Sequence, residues 1–146
     1  DQRFTLFEFV LRIILTEHLS DKADKADVIK FHKSDQVINE IRILLTLMAM
    51  SGRTSESDVS QTFQQVMKYF TGVRFEMASK HELKLERLAE VFEKLSALSP
   101  LVKQSVITAC ADCVLHDGKV LPAEAEILRA ASLSLDCPMP PIISGV

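Results

Sequence analysis

The sequence predicts an all-α protein, a single bundle of about six helices. Apolar residues recur at helical spacing along most of the chain, and no segment shows convincing period-two alternation. Four glycines and five prolines are too few for the many tight turns of a β-sandwich. Helix-capping residues and prolines stand in front of the later apolar runs. The 146 residues fit one domain, 1–146, large enough to bury a core without covalent staples.

The first helix runs from about Gln2 to Leu19, with Phe4, Phe7, Val10, Leu11, Ile14 and Leu15 on one face. Opposite them lie Arg3, Glu8, Arg12 and Thr16, with Glu8 one turn from Arg12. The polar stretch "SDKADKADVIKFHK" that follows reads as a linker or mobile loop. Ser34 and Asp35 cap a second helix reaching about Met50, amphipathic through Val37, Ile38, Ile41, Leu44 and Leu45. Its latter half, "ILLTLMAM", is apolar nearly all round, as expected of the most enclosed helix, and Gly52 follows as a stop.

Ser55 and Asp58 open a third helix that carries Val59, Phe63, Val66, Met67 and Phe70 inward, with Gly72 as its C-cap. Ser79 and Glu82 form an S-x-x-E box, the expected start of a fourth helix with Leu85, Leu88, Val91, Phe92, Leu95 and Leu98 inside. Ser99-Pro100 is an N-cap followed by proline at the first helical position. The fifth helix so begun runs to about Leu115, with Val102, Val106, Ala109, Cys110 and Cys113 on one face. Pro122 and Glu124 open a sixth, which buries Ile127, Leu128, Ala131 and Leu135 and ends before "CPMPP".

Charge narrows the range of functions. Seventeen basic residues against twenty acidic ones form no basic stripe, and there is no tryptophan, so nucleic acid is not an expected partner. Three cysteines cannot make a complete disulfide framework within the chain, which favours a reducing compartment. No apolar run approaches the ~20 uncharged residues of a membrane span. The chain starts at Asp1 without a signal peptide and reads as a fragment of a longer protein.

The chemistry-bearing motifs are incomplete. His81-Glu82 begins like H-E-x-x-H, but Leu85 stands where the second zinc ligand belongs. Cys110-Ala-Asp-Cys113 has C-x-x-C spacing, yet it lies toward the end of a helix with no strand before it. On a straight helix, Cys113 and His116 point too far round to converge with Cys110, so buried packing is the better reading of the pair. Placing Gly118 at the sixth position of a calcium loop puts Glu124 at the twelfth. Cys113 and Leu115 then occupy ligand positions, leaving Asp117 and Glu124, too few for a hard cation. Ser34, Ser55, Ser79 and Ser99 serve as caps or loop residues, and no catalytic residue is assigned.

The stretch "ADCVLHDGKVLPAEAEILRAASLSLD" sets a helix of small residues before D-G-x-V, then P-x-E opening another helix. It resembles the helical TerB-like (tellurite-resistance) module, with 99–137 as the helix–turn–helix core. There Gly118 frees the backbone, Val120 plugs the core and Pro122 starts the next helix. Leu121 replaces the capping Ser or Thr of many such modules, weakening that start by ~1 kcal/mol. With "FTLFEFVLRIILTEHL" upstream, the longer run "LSPLVKQSVITACADCVLHDGKVLPAEAEILRAASLSLDCPMPP" is similar to the C-terminal region of bacterial HtpX-like membrane zinc metallopeptidases, Zn-dependent proteases with chaperone function. That resemblance implies a soluble, non-catalytic accessory or regulatory domain at the cytoplasmic face of a membrane-anchored protein. Its partners would be the parent's own catalytic and membrane domains and protein substrates. Zinc is expected in the parent's catalytic domain, with no cofactor in this chain and no oligomeric state assigned. The alternative is a metal-responsive, TerB-like stress-response module, whose metal-binding carboxylates map onto Asp112, Asp117, Glu124 and Glu126.

Overall fold

The computed structural model describes residues 29–50, 55–72, 75–115 and 122–135. The helix expected over 2–19 lies outside the described residues, as do Gly52, Asp117, Gly118, Val120, Leu121 and the proline-rich C-terminal stretch. Five α-helices are described: α1 (Ile38–Met50), α2 (Glu56–Met67), α3 (Leu85–Ser96), α4 (Pro100–Leu115) and α5 (Pro122–Ser134). A 3₁₀ turn, Ser34–Val37, leads into α1. The described chain is thus an all-α bundle, and its helices correspond to the last five of the about six that the apolar spacing predicts.

The axis of the bundle is α1, which packs against every other helix. Its sequence explains this position: Ile41 and Ile43 through Ala49 are all buried, so the helix presents no polar face over its latter half. The one charged residue buried on α1 is Glu40, whose carboxylate stands 3.6 Å from Nζ of Lys94 on α3. The amphipathic helices cover α1 with their apolar faces. Val59, Phe63, Val66 and Met67 come from α2, Leu88, Val91, Phe92 and Leu95 from α3, and Ile127, Leu128 and Ala131 from α5. Together with α4 they make one core cluster. Burying each such large side chain is worth about 1.5–3 kcal/mol, which offsets the entropy of ordering five helices.

Two helix starts differ from expectation, each for a local reason. Ser34 and Asp35 do not cap the second helix; Gln36 does, its Oε1 accepting the backbone N–H groups of His32 and Lys33 at 2.9 and 3.2 Å. The expected helix start at Ser79 moves to Leu85, with Lys84 in the N-cap position. The Ser79–Glu82 box is half made, since Glu82 Oε2 accepts the Ser79 N–H at 2.8 Å. Glu82 also turns toward Arg42 on α1, and residues 79–83 form tight i→i+3 turns rather than helix. By contrast, Ser55 caps α2 as expected, accepting the Asp58 N–H at 3.5 Å.

Two further corrections concern connections. Helix α2 ends at Met67, and Phe70 follows it in a turn, so Gly72 is not its C-cap; Gly72 does not adopt a left-handed φ. The stretch taken as a linker is anchored at its end. Lys30 and Phe31 donate to the Ala97 carbonyl at 2.8 and 3.1 Å, and the Ser99 N–H returns a bond to the Phe31 carbonyl at 2.9 Å. This short parallel bridge fixes the chain entry against the α3–α4 corner, where Phe31 also packs on the core.

Candidate functional site

The sequence directs attention to α4 and α5. Helix α4 is buried on most of its circumference, including Val106, Ile107, Ala109, Cys110, Ala111, Cys113 and Val114, because it sits between α1, α2 and α5. Cys110 and Cys113 are both enclosed. Burial pushes the Cys110 thiol well above its ordinary value of 9.0, with the neighbouring Cys113 adding to the effect. A thiol so placed holds its proton and is a poor nucleophile or metal ligand. The C-x-x-C spacing is therefore a packing feature of this helix.

The described acidic candidates, Asp112, Glu124 and Glu126, lie on two helices. Asp112 lies half-buried on α4, near Tyr69 just beyond α2. The Asp112 charge raises the Tyr69 phenol above its ordinary range, assisted by burial. Glu124, in the first turn of α5, is only 2% exposed. Glu126 is exposed and its Oε1 accepts from Arg129 Nη1 at 3.0 Å one turn on, a surface pair worth a few tenths of a kcal/mol, about 0.2–0.5. Pro122 takes the first position of α5 and is exposed. Among the described residues, no three His, Cys, Asp or Glu side chains gather closely enough to hold a metal ion. Asp112, Glu124 and Glu126 are not brought together.

His81 and Glu82 do not fit a peptidase zinc site either. His81 is exposed, and Glu82 is held by Arg42 and by the Ser79 backbone.

One polar cluster among the described residues joins side chains that the sequence did not pair. It forms where residues 75–84 cross α1. Arg42 donates from Nε to Asn39 Oδ1 at 3.0 Å, and from Nη1 to the Glu76 carbonyl at 3.2 Å and Glu82 Oε2 at 3.3 Å. Its Nη2 engages Glu82 Oε1, completing a bidentate pair. Hydrogen bonds from Arg42, then from the Ser79 N–H, hold the Glu82 carboxyl below its usual range. One turn along α1, Thr46 is 1% exposed; its Oγ1 donates to the Arg42 carbonyl at 2.8 Å and accepts the Ala78 N–H at 3.0 Å. Gln64 of α2 reaches the Phe75 carbonyl at 2.7 Å. The cluster binds one part of the chain to another.

Two surface features complete the inventory. A shallow groove of about 400 Å³ runs beside α2, lined by Ser60, Gln61, Gln64, Gln65, Met67, Lys68 and Gly72. Among the described residues, Leu101 and Tyr69 are the most exposed large hydrophobic residues, at 77% and 66%, followed by Ile29 and Leu133. No helix among the described residues is long and apolar enough to cross a membrane. No family model, curated protein or solved structure matches the chain.

Proposed function

We propose that this chain is a non-catalytic accessory domain of a membrane-bound zinc metallopeptidase, used for protein contact or substrate recruitment. The observation that carries the reading is the resemblance of residues 99–137 to the corresponding part of HtpX-like proteins. The pair of helices in that stretch is consistent with it, α4 beginning at Pro100 and α5 at Pro122, the starts that proline at the first helical position leads one to expect. The state of the reactive side chains points the same way: the enclosed thiols and the committed Glu82 serve packing and bracing. Exposed Leu101 and Tyr69 are the side chains best placed to touch a partner. In this reading the domain sits at the cytoplasmic face beside the catalytic and membrane domains of its parent, and zinc chemistry belongs to that catalytic domain.

Incubation of the purified chain with casein and zinc tests the absence of its own active site. No cleavage is expected, and zinc-dependent proteolysis abolished by a chelator refutes the proposal. A thermal-shift series with Ca²⁺, Mn²⁺ and Zn²⁺ addresses the TerB-like alternative. A ligand that prefers the folded state must raise the melting temperature. The accessory-domain reading predicts no shift, whereas a rise lost on Asp117→Ala would favour a metal-responsive module.

A further inference from the structure

Residues 75–84 cross the bundle as a strap between α2 and α3. Phe75, Met77, Ala78 and Leu83 pack against the core from this segment. The backbone hydrogen bonds described within it are local turns, Glu82 N–H to the Ser79 carbonyl at 3.0 Å and Leu83 N–H to the Lys80 carbonyl at 3.3 Å. At its end the Lys84 carbonyl accepts the Leu88 N–H of α3 at 2.9 Å, and before that point its polar attachment to the helices runs through side chains: Gln64 at Phe75, Thr46 at Ala78, and Arg42 at Glu76 and Glu82. Apart from Lys84, which stays with α3 as its N-cap, the helices do not need the strap for their own hydrogen bonds. The ladder of α1 is internal, and Thr46 Oγ1 keeps its bond to the Arg42 carbonyl whether or not Ala78 is docked.

We infer that the strap is a conformational device that opens as one unit ahead of the bundle, with the Arg42–Glu82 pair as its latch. Contacts that can be lost together without breaking a helix define a unit of sub-global opening. The latch is the strongest polar attachment, being bidentate, charge-assisted and partly screened from water. Its carboxylate remains ionised at neutral pH because its hydrogen bonds favour the charged form. Release lifts Phe75, Met77, Ala78 and Leu83 off the core and uncovers the α1 face that carries Asn39, Arg42 and Thr46. Opening therefore exchanges a closed polar clamp for an exposed apolar segment. The inference is independent of the accessory-domain reading.

Hydrogen exchange of the whole chain at neutral pH, resolved by residue, tests it. In the wild type, the amides of Ala78, Ser79, Glu82 and Leu83 should exchange faster than those of α1 and α4. Their rates should be nearly insensitive to low urea, because a small opening exposes little surface, whereas the α1 amides should respond steeply. Glu82→Gln keeps the volume and removes the charge; it should speed the strap amides by about tenfold or more and leave α1 and α4 unchanged. Strap and α1 amides with the same rate and urea dependence in the wild type would overturn the inference. So would a Glu82→Gln effect spread equally over both sets. The wild-type urea series stands by itself if the variant does not fold.

Discussion

Replacing Thr46 with valine isolates the attachment of the strap to the central helix. Thr46 is 1% exposed, and its hydroxyl oxygen is the acceptor for the Ala78 N–H at 3.0 Å. Valine preserves the branched shape and the fit among Ile43, Leu47 and their neighbours, but it leaves that N–H without its acceptor. An orphaned buried donor costs about 1–3 kcal/mol. Ala78 is half-buried, so water can reach part of the vacated position and the cost falls near the low end. The Arg42 carbonyl keeps its helical bond, so losing the hydroxyl there adds little. A net loss of about 1 kcal/mol lowers the melting temperature of a chain this size by about 2–4 °C. Calorimetry measures that shift, and hydrogen exchange at Ala78 locates it. Thr46→Ser is the control, because it loses a methyl group but retains the acceptor and should preserve Ala78 protection. An unchanged melting temperature together with unchanged Ala78 exchange in Thr46→Val would refute this account of the attachment.

Other outcomes follow from the same geometry. Because the Glu82 carboxyl is held below its ordinary 4.5, its stabilising contribution is complete above that value and is lost as pH falls through the lower folded value. The melting temperature of the wild type should therefore drop more steeply below about pH 4.5 than that of Glu82→Gln, and parallel pH curves would contradict the assignment. Cys110 should resist Ellman's reagent at pH 8 in the folded chain and react promptly in guanidinium, as followed by mass spectrometry of its peptide; fast labelling of native protein would show the thiol to be accessible. Phe63→Ala removes one of the largest enclosed side chains and should cost about 3–5 kcal/mol in urea unfolding, with a loss below 1 kcal/mol contradicting its central position. Arg129→Ala breaks an exposed pair with Glu126 and should change stability by less than about 0.5 kcal/mol.

Helical spacing made most of the described fold legible. Val59, Phe63, Val66 and Met67, then Leu88, Val91, Phe92 and Leu95, repeat so regularly that their buried faces could be read directly, and all are buried. The enclosure of α1 was legible in "ILLTLMAM" because a helix with no polar face has nowhere to go but the interior. What escaped was non-local. Arg42 and Glu82 are forty residues apart, and nothing near either one announces the other. The same Ser79–Glu82 spacing that marks a helix start therefore served a strap, because a long-range guanidinium competed for the carboxylate. Gln36 was missed as a cap since the usual capping side chains are short, while glutamine reaches back over a turn. The burial of Glu124 was not legible for a similar reason. A glutamate in a first helical turn is ordinarily solvated, but Glu124 stands on the inward face of the first turn of α5 while Pro122 stays exposed. The nearly complete burial of α4 likewise follows from its three neighbours and not from a single apolar stripe.

The central claim is that this helical bundle serves a membrane-bound zinc metallopeptidase. Sequencing the complete reading frame that encodes it is the most direct measurement. The account predicts an H-E-x-x-H motif and hydrophobic spans of ~20 residues upstream of the bundle in the same frame. A complete frame that lacks both would contradict the claim.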